Sequence, residues 1–176
     1  MYQRDTTKRL VIAGVLLALG IIIPMIFHST GIAGTIFLPM HIPVLIGGFL
    51  LPPYLALLLG ILTPLLSSLI TGMPPLFPMA IIMIFELGIY GLIASIMYRR
   101  LKTPSIISLI VSMIAGRIMA GFVVFILATF FGFQMDPPMI FVIGGVTTGL
   151  PGIIIQLILV PTLIQGIVKY TTINLD

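Results

Sequence analysis

The chain has 176 residues, of which 60% are hydrophobic and 7% charged, and its mean hydropathy is +1.33. Soluble domains carry about 25% charged residues, so this composition cannot cover a water-exposed surface. It excludes a soluble enzyme, a nucleic-acid-binding domain and a disordered chain, and no stretch is polar enough to form a large extramembrane domain. Six spanning helices of about 20 residues fit the length. The sequence therefore predicts a small polytopic all-α membrane protein, with residues 1–176 as one domain.

The net charge of +4 and the pI of about 9.8 are topology signals in such a chain, not signs of a nucleic-acid partner. Cysteine is absent, which excludes disulfides, iron–sulfur clusters and thiol chemistry. Basic residues precede the first apolar run, as in a signal peptide, but the run has no convincing small-residue cleavage site. We therefore expect a retained first helix.

Charged residues, prolines and glycines mark the ends of six predicted helices. A Gly-rich loop at 28–35 follows the first apolar run, and Pro52-Pro53 cannot continue a helix. The second helix is short, since about 10 residues rise only about 15 Å, so we expect it to be tilted, half-buried or continuous with a neighbour. The predicted helices are 10–27, 42–51, 54–71, 78–98, 104–131 and 140–168, the last with Pro151 and Pro161 inside it.

The distribution of basic residues predicts the orientation. With six spans both termini lie on one side, together with seven basic residues, whereas the loops on the other side (28–41, 72–77 and 132–139) have none. The positive-inside rule then places both termini in the cytoplasm, and a five-span topology would export Lys169. The seven residues are Arg4, Lys8, Arg9, Arg99, Arg100, Lys102 and Lys169.

Two charged residues fall inside predicted spans, Glu86 in helix four and Arg117 near the middle of helix five. Each costs at least about 2.5–3.5 kcal/mol there, so each needs a partner or a wet cavity. Adjacent antiparallel helices would bring the two within reach of each other. Two compatible hypotheses follow: a structural ion pair between helices four and five, or charges that line a substrate cavity.

Other polar residues are weaker candidates for a site. Gln156 lies mid-span in helix six and is expected at a cavity, because an amide is hard to satisfy within one helix. His41 begins helix two, where it is either interfacial or a ligand contact, and His28 is expected to be an interfacial loop residue. Two histidines separated by a loop, with no carboxylate nearby in sequence, do not make a metal site. We expect neither a metal nor a cofactor.

Small residues cluster on helix one at Ala13, Gly14 and Ala18. Gly14 and Ala18 form a small-xxx-small pattern, which lets another helix approach closely. The pattern recurs at 116–120 and 145–149, where packing within the chain is the simpler interpretation.

Catalytic motifs are missing from the sequence. There is no phosphate-binding loop with lysine, no His-Glu-x-x-His and no Gly-x-Ser-x-Gly. The chain is therefore predicted not to hydrolyse ATP or to act as an enzyme. It also lacks an evident inverted repeat with broken helices, which many secondary transporters have. Among the functions considered, these absences leave a solute-binding membrane protein as the interpretation.

Four segments resemble a known family. Residues 38–54 read LPMHIPVLIGGFLLPPY, residues 63–78 read TPLLSSLITGMPPLFP, residues 86–91 read ELGIYG and residues 115–117 read AGR. These segments, with the length and the six-helix pattern, resemble the substrate-binding S components of energy-coupling factor (ECF) vitamin transporters. The resemblance implies a multi-pass protein of a prokaryotic plasma membrane that captures a vitamin or related micronutrient at the outer face. It also implies two kinds of partner, a transmembrane coupling protein and two cytoplasmic ATPases.

The same resemblance implies roles for particular residues. The family's coupling signature, Ala-x-x-x-Ala, corresponds to Gly14-x-x-x-Ala18 here, which makes Ala13, Gly14 and Ala18 the expected coupling interface. Arg117 would pair a carboxylate or phosphate, whereas Glu86 would accept from an amine or hydroxyl or hold Arg117. The residues expected to face the pocket are His41, Glu86, Tyr90, Arg117 and Gln156.

Two other functions stay open at this point. The chain could be a standalone secondary carrier or channel, with Glu86 and Arg117 as a proton relay or filter. It could also be a structural membrane subunit without a ligand, in which the two charges only join helices.

Overall fold

The computed structural model describes residues 2–31 and 34–170, with the side chains of 2–5, 168 and 170 left out. Residues 32–33 of the predicted loop and the predicted polar tail at 171–176 lie outside this description. The described residues contain helices and no strand, so the predicted all-α membrane class is confirmed. The helices are α1 (Tyr2–Ser29), α2 (Gly34–Phe37), α3 (His41–Leu50), α4 (Pro53–Thr71), α5 (Ile81–Ser95), α6 (Ser105–Phe131), α7 (Pro138–Thr148) and α8 (Leu150–Tyr170). A kinked segment, Leu76–Ala80, in which Phe77 is extended, precedes α5, and a wider π-helical turn, Ile96–Arg100, follows it.

Five helices in the described part of the chain are long and apolar enough to cross a membrane. They are Thr6–Ser29, Pro53–Thr71, Leu76–Arg100, Ser105–Phe131 and Leu150–Ile167. Two shorter apolar segments, Gly34–Leu50 and Pro138–Thr148, accompany them. The number of spans, six, and the cytoplasmic placement of both termini stay predictions.

Helix α3 is short because it crosses only part of the bundle. Most of its residues are buried, and its last carbonyls are bound by α5 and the turn that follows. Ser95 Oγ donates to the Leu51 carbonyl at 2.7 Å, and Arg99 Nη1 donates to the Leu50 carbonyl at 3.1 Å. Ten helical residues rise about 15 Å, so His41 lies that far from the end of the bundle where Arg99 is found. We call this end, with Arg99 and Arg100, the basic end.

Helix α5 lies at the centre and packs against α3, α4 and α6. Glycines allow its closest contact, with α4: a Cβ on Gly60 would collide with the Leu87 carbonyl, and one on Gly91 with the Ala56 carbonyl. These two helices therefore pack backbone against backbone. At the opposite end from Arg99, which we call the loop end, a separate apolar cluster includes Ile82 of α5 and Val124 of α6.

The predicted sixth helix, 140–168, is wrong as a single element. The chain breaks at Gly149, and α7 and α8 are separate helices. Pro151 favours a break at this point, because proline has no N–H to donate and its ring clashes with the carbonyl four residues before it. Proline is tolerated in the first turn of a helix, and Pro151 is the second residue of α8. Pro161, by contrast, lies within α8 as expected.

The predicted first helix, 10–27, is too short. Helix α1 begins at Tyr2 and ends at Ser29, so it includes the basic segment before the apolar run. Charge and hydropathy limit what can lie in hydrocarbon, but lysine and arginine are good helix formers and let the helix extend beyond it.

Candidate functional site

The segment between α1 and α3 returns into the bundle from the loop end. Leu38 has a φ of +49°, a left-handed conformation that is unfavourable for a residue with a side chain. Its carbonyl accepts hydrogen bonds from the backbone N–H of His41 at 3.1 Å and from Gln156 Nε2 of α8 at 3.3 Å. These bonds hold the turn that starts α3 in the middle of the bundle.

Glu86 of α5 is the centre of the polar cluster. Its Oε1 is 3.0 Å from Arg117 Nη1 of α6 and accepts a hydrogen bond from Tyr90 Oη, also at 3.0 Å. The side chains of Glu86 and Arg117 are 4% and 14% exposed, so the pair is largely shielded. The predicted approach of the two charges is confirmed. Arg117 neutralises Glu86 at a depth where an unpaired carboxylate would be costly.

Glycines make room for this cluster. A Cβ on Gly116 would collide with the Tyr90 ring and lie 2.9 Å from the Glu86 carbonyl oxygen. A Cβ on Gly145 of α7 would lie 3.1 Å from Arg117 Nη1. The repeated small residues on α6 and α7 therefore serve packing within the chain, as predicted.

His41 lies beside the ion pair but does not bond to it. Its ring packs edge-on against Tyr90, with the centroids 5.5 Å apart, and the residue is 3% exposed. Within the described part of the chain, His41 Nδ1 and Nε2 and Arg117 Nε are buried without a hydrogen-bond partner. Leaving such groups unsatisfied costs about 1–3 kcal/mol each. These three atoms have almost no accessible surface, so a ligand would recover that energy only if the two side chains turned toward it.

A cavity of about 540 Å³ opens above these groups toward the loop end. His41, Glu86 and Arg117 form its floor, and α7 forms one side. The volume suits a small molecule, since ligand sites are typically about 300–1,000 Å³. Methionines and prolines make up much of the remaining wall: Pro24, Pro39, Met40, Met73, Pro74, Pro75, Met79 and Met83.

The five residues expected at one pocket divide between two cavities. Tyr90 and Gln156 line a second cavity of about 350 Å³, between α5 and α6 on one side and α7 and α8 on the other. Arg117 and Leu38 line both cavities and lie between them. Gln156 faces this second space and supports Leu38 rather than contacting the first cavity.

Three contributors to the first cavity were not predicted from the sequence. His28, expected to be an interfacial loop residue, lies in the last turn of α1 and lines the cavity. Asp136 lines its opening and is the one acidic residue in the three charge-poor loops, a signal that the sequence offered. The methionines of the wall come from the residue before α3, from the link before α5 and from α5 itself, and their spacing does not set them apart from ordinary apolar residues.

The expected coupling residues lie on α1 away from both cavities. Ala13 is partly buried and packs against the cluster formed with α3 and α4. Gly14 and Ala18 are exposed, and a Cβ on Gly14 would have no heavy atom within 4 Å. Within the described chain, this stretch of α1 is open to a partner.

The family model of the ECF transporter, substrate-specific component, matches residues 8–164. No curated protein and no solved structure matches the chain significantly. The matched region includes the whole polar cluster, both cavities and the exposed stretch of α1. The chain therefore belongs to the family of substrate-specific components of ECF transporters.

Proposed function

We propose that the chain captures a water-soluble, vitamin-like micronutrient in the 540 Å³ cavity and delivers it to a coupling protein driven by two ATPases. Membership of the family supports the coarser part: a small-molecule substrate, a transmembrane component and ATPase components, with the chain itself a binding subunit and not an enzyme. The proposal that a vitamin-like nutrient binds in this cavity rests on one observation, the cavity floor. There an ion pair lies beside unpartnered buried nitrogens of His41 and Arg117.

The cavity has the composition of a ligand site. Such sites are mostly apolar with a few convergent polar groups that fix the orientation of the ligand. Here the apolar wall is supplied by methionine and proline, and the polar groups converge at the floor. Methionine adapts its shape to planar and irregular ligands because it is unbranched and polarisable.

The residues at the cavity floor have different roles in binding. His41 and Arg117 contact the ligand, Glu86 holds Arg117, and Tyr90 fixes Glu86 through its hydroxyl. Gln156 acts one step further away, by holding the Leu38 carbonyl and thus the segment that presents His41. With the basic end in the cytoplasm, the cavity opens outward, at the plasma membrane surface where the nutrient arrives.

The exposed stretch of α1 is proposed as the coupling surface. Small residues at Gly14 and Ala18 allow the backbone of a partner helix to come close, which supports association in lipid through van der Waals contact. Ala13 fixes the orientation of this face by packing inward.

Reconstitution tests the function directly. Liposomes that contain the chain, its coupling protein and the two ATPases should accumulate the nutrient only when ATP is hydrolysed, and an ATPase-inactive complex is the control. Full ATP-independent uptake by the chain alone would overturn the proposal and favour a secondary carrier. Absence of any bound nutrient in the purified complex would favour a structural subunit instead.

A further inference from the structure

We infer that the cavity selects an uncharged ligand, with an apolar body against the methionine and proline wall and a hydrogen-bonding edge on His41 and Arg117. Ligands with a phosphate or carboxylate at that edge are rejected. This inference rests on the proposed function and names the substrate class of the same site.

The positive charge of Arg117 is already paired with the carboxylate of Glu86. Its Nη1 lies 3.0 Å from Glu86 Oε1, and Tyr90 Oη donates a hydrogen bond to the same carboxylate oxygen. An anion at Arg117 would therefore meet a second negative charge across one guanidinium, in a site shielded from water. Like charges at this separation repel strongly where water is excluded.

The opening of the cavity does not attract anions either. The ionisable residues that line the cavity in the described chain are His28, His41, Glu86, Arg117 and Asp136. Asp136 is therefore the additional formal charge near the opening, and the three loops at this end contain no lysine or arginine. Among the described residues that line the cavity there is no lysine and no arginine besides Arg117, which is already paired with Glu86.

The unpartnered nitrogens of the two floor residues define the ligand's polar edge. They are buried in this structure, so binding requires the His41 ring and the Arg117 side chain to turn toward the ligand. Neutral imidazole offers one donor and one acceptor, and Arg117 Nε adds a second donor. A ring amide or similar group, with neighbouring donor and acceptor atoms, would satisfy these atoms without carrying charge. The rest of such a molecule would lie against the apolar wall, where no charge could be solvated.

Matched pairs of probes test the inference on the full chain in nanodiscs. Each pair differs in an anionic group: riboflavin and riboflavin 5′-phosphate, nicotinamide and nicotinate, biotinamide and biotin, and pantothenol and pantothenate. Titration calorimetry should find at least one uncharged probe that binds, with its anionic partner weaker by about tenfold or more. His41→Leu should weaken the uncharged probe as well.

Each result is decisive. An anionic probe that binds as tightly as its partner, and whose binding requires His41, overturns the inference but leaves the proposed function standing. Binding of none of the eight probes overturns the inference. Transport by the complete complex is measured separately and decides whether the proposed function stands.

Glu86→Gln provides the sharper test, because it leaves the Arg117 charge without its partner. Selectivity between the members of a pair should shift toward the anion by about tenfold or more. Gly166→Ala on α8 is the control: a Cβ there has no heavy atom within 4 Å and both charges and the cavity lining stay intact, so selectivity should not change. An unchanged ratio in a folded Glu86→Gln variant overturns the inference. If that variant does not fold, the wild-type ratio still decides.

Discussion

Arg117 of α6 and Glu86 of α5 meet at 3.0 Å beneath the cavity that opens to the loop end. The pair joins two central helices and at the same time forms part of the cavity floor. The same two residues therefore stabilise the contact between the helices and line the ligand cavity. Experiments must separate these two contributions. Removing one partner of a buried pair is more costly than replacing both by apolar residues of similar size.

Arg117→Ala is expected to destabilise the protein by about 3–5 kcal/mol, because it leaves the Glu86 carboxylate buried and unpaired. The double variant Arg117→Met with Glu86→Leu should recover much of that stability. Thermal unfolding in detergent measures both effects. If the pair also contributes to binding, the stable double variant should still bind the nutrient at least about tenfold more weakly. Wild-type affinity in the double variant would show that the pair is structural alone.

His41→Leu is expected to preserve or raise stability while it weakens ligand binding. The substitution removes two buried ring nitrogens that have no partner in the described structure, and replacing unsatisfied polar groups by apolar ones can be neutral or stabilising. Affinity should therefore fall while the melting temperature stays level or rises. A parallel loss of both would mean that His41 supports the fold through its contact with Tyr90.

The residues that sequence analysis placed correctly are those for which membrane burial leaves few choices. A charge in a span needs a partner, and Glu86 and Arg117 were the two available charges of opposite sign, so their contact followed from chemistry alone. The positions of Tyr90 and Gln156 could not be predicted in this way, because a polar residue on a helix can face any of several neighbours. The return of the 38–41 segment into the bundle depends on long-range support from α8, which local sequence does not encode.

The break at Gly149 shows the same limit. Pro151 and Pro161 look alike as sequence signals, yet one begins a new helix and the other lies inside one. The difference lies in the surroundings: a Cβ on Gly149 would come within 2.8 Å of Leu38 Cδ1, so the returning segment packs against the break. Tertiary contacts therefore determine which of the two prolines interrupts the helix.

Gly116→Ala is expected to destabilise the protein and to displace Tyr90, which contacts Glu86 in the polar cluster. The added methyl would collide with the Tyr90 ring and press on the Glu86 carbonyl. Overpacking of this kind typically costs about 1–3 kcal/mol, and displacement of Tyr90 should also weaken binding. Gly144→Ala is the matched control for the melting temperature, since a Cβ there has no heavy atom within 4 Å. Because Gly144 lines the cavity, Gly166→Ala on α8, whose Cβ also meets no heavy atom within 4 Å, is the control for binding. Equal melting temperatures for Gly116→Ala and Gly144→Ala would argue against tight packing at Gly116.

Gly14→Leu is expected to abolish ATP-dependent transport while ligand binding stays at the wild-type level. The larger side chain blocks close approach of a partner helix, yet the site on α1 has room for it within the chain, because a Cβ on Gly14 meets no heavy atom within 4 Å. Gly166→Leu on α8 is the control, as Gly166 is equally open but lies outside the proposed coupling surface. Binding is measured on the isolated chain and transport on the complete complex in liposomes. Loss of binding together with transport would show that Gly14 serves internal packing, and normal transport would remove α1 from the coupling surface.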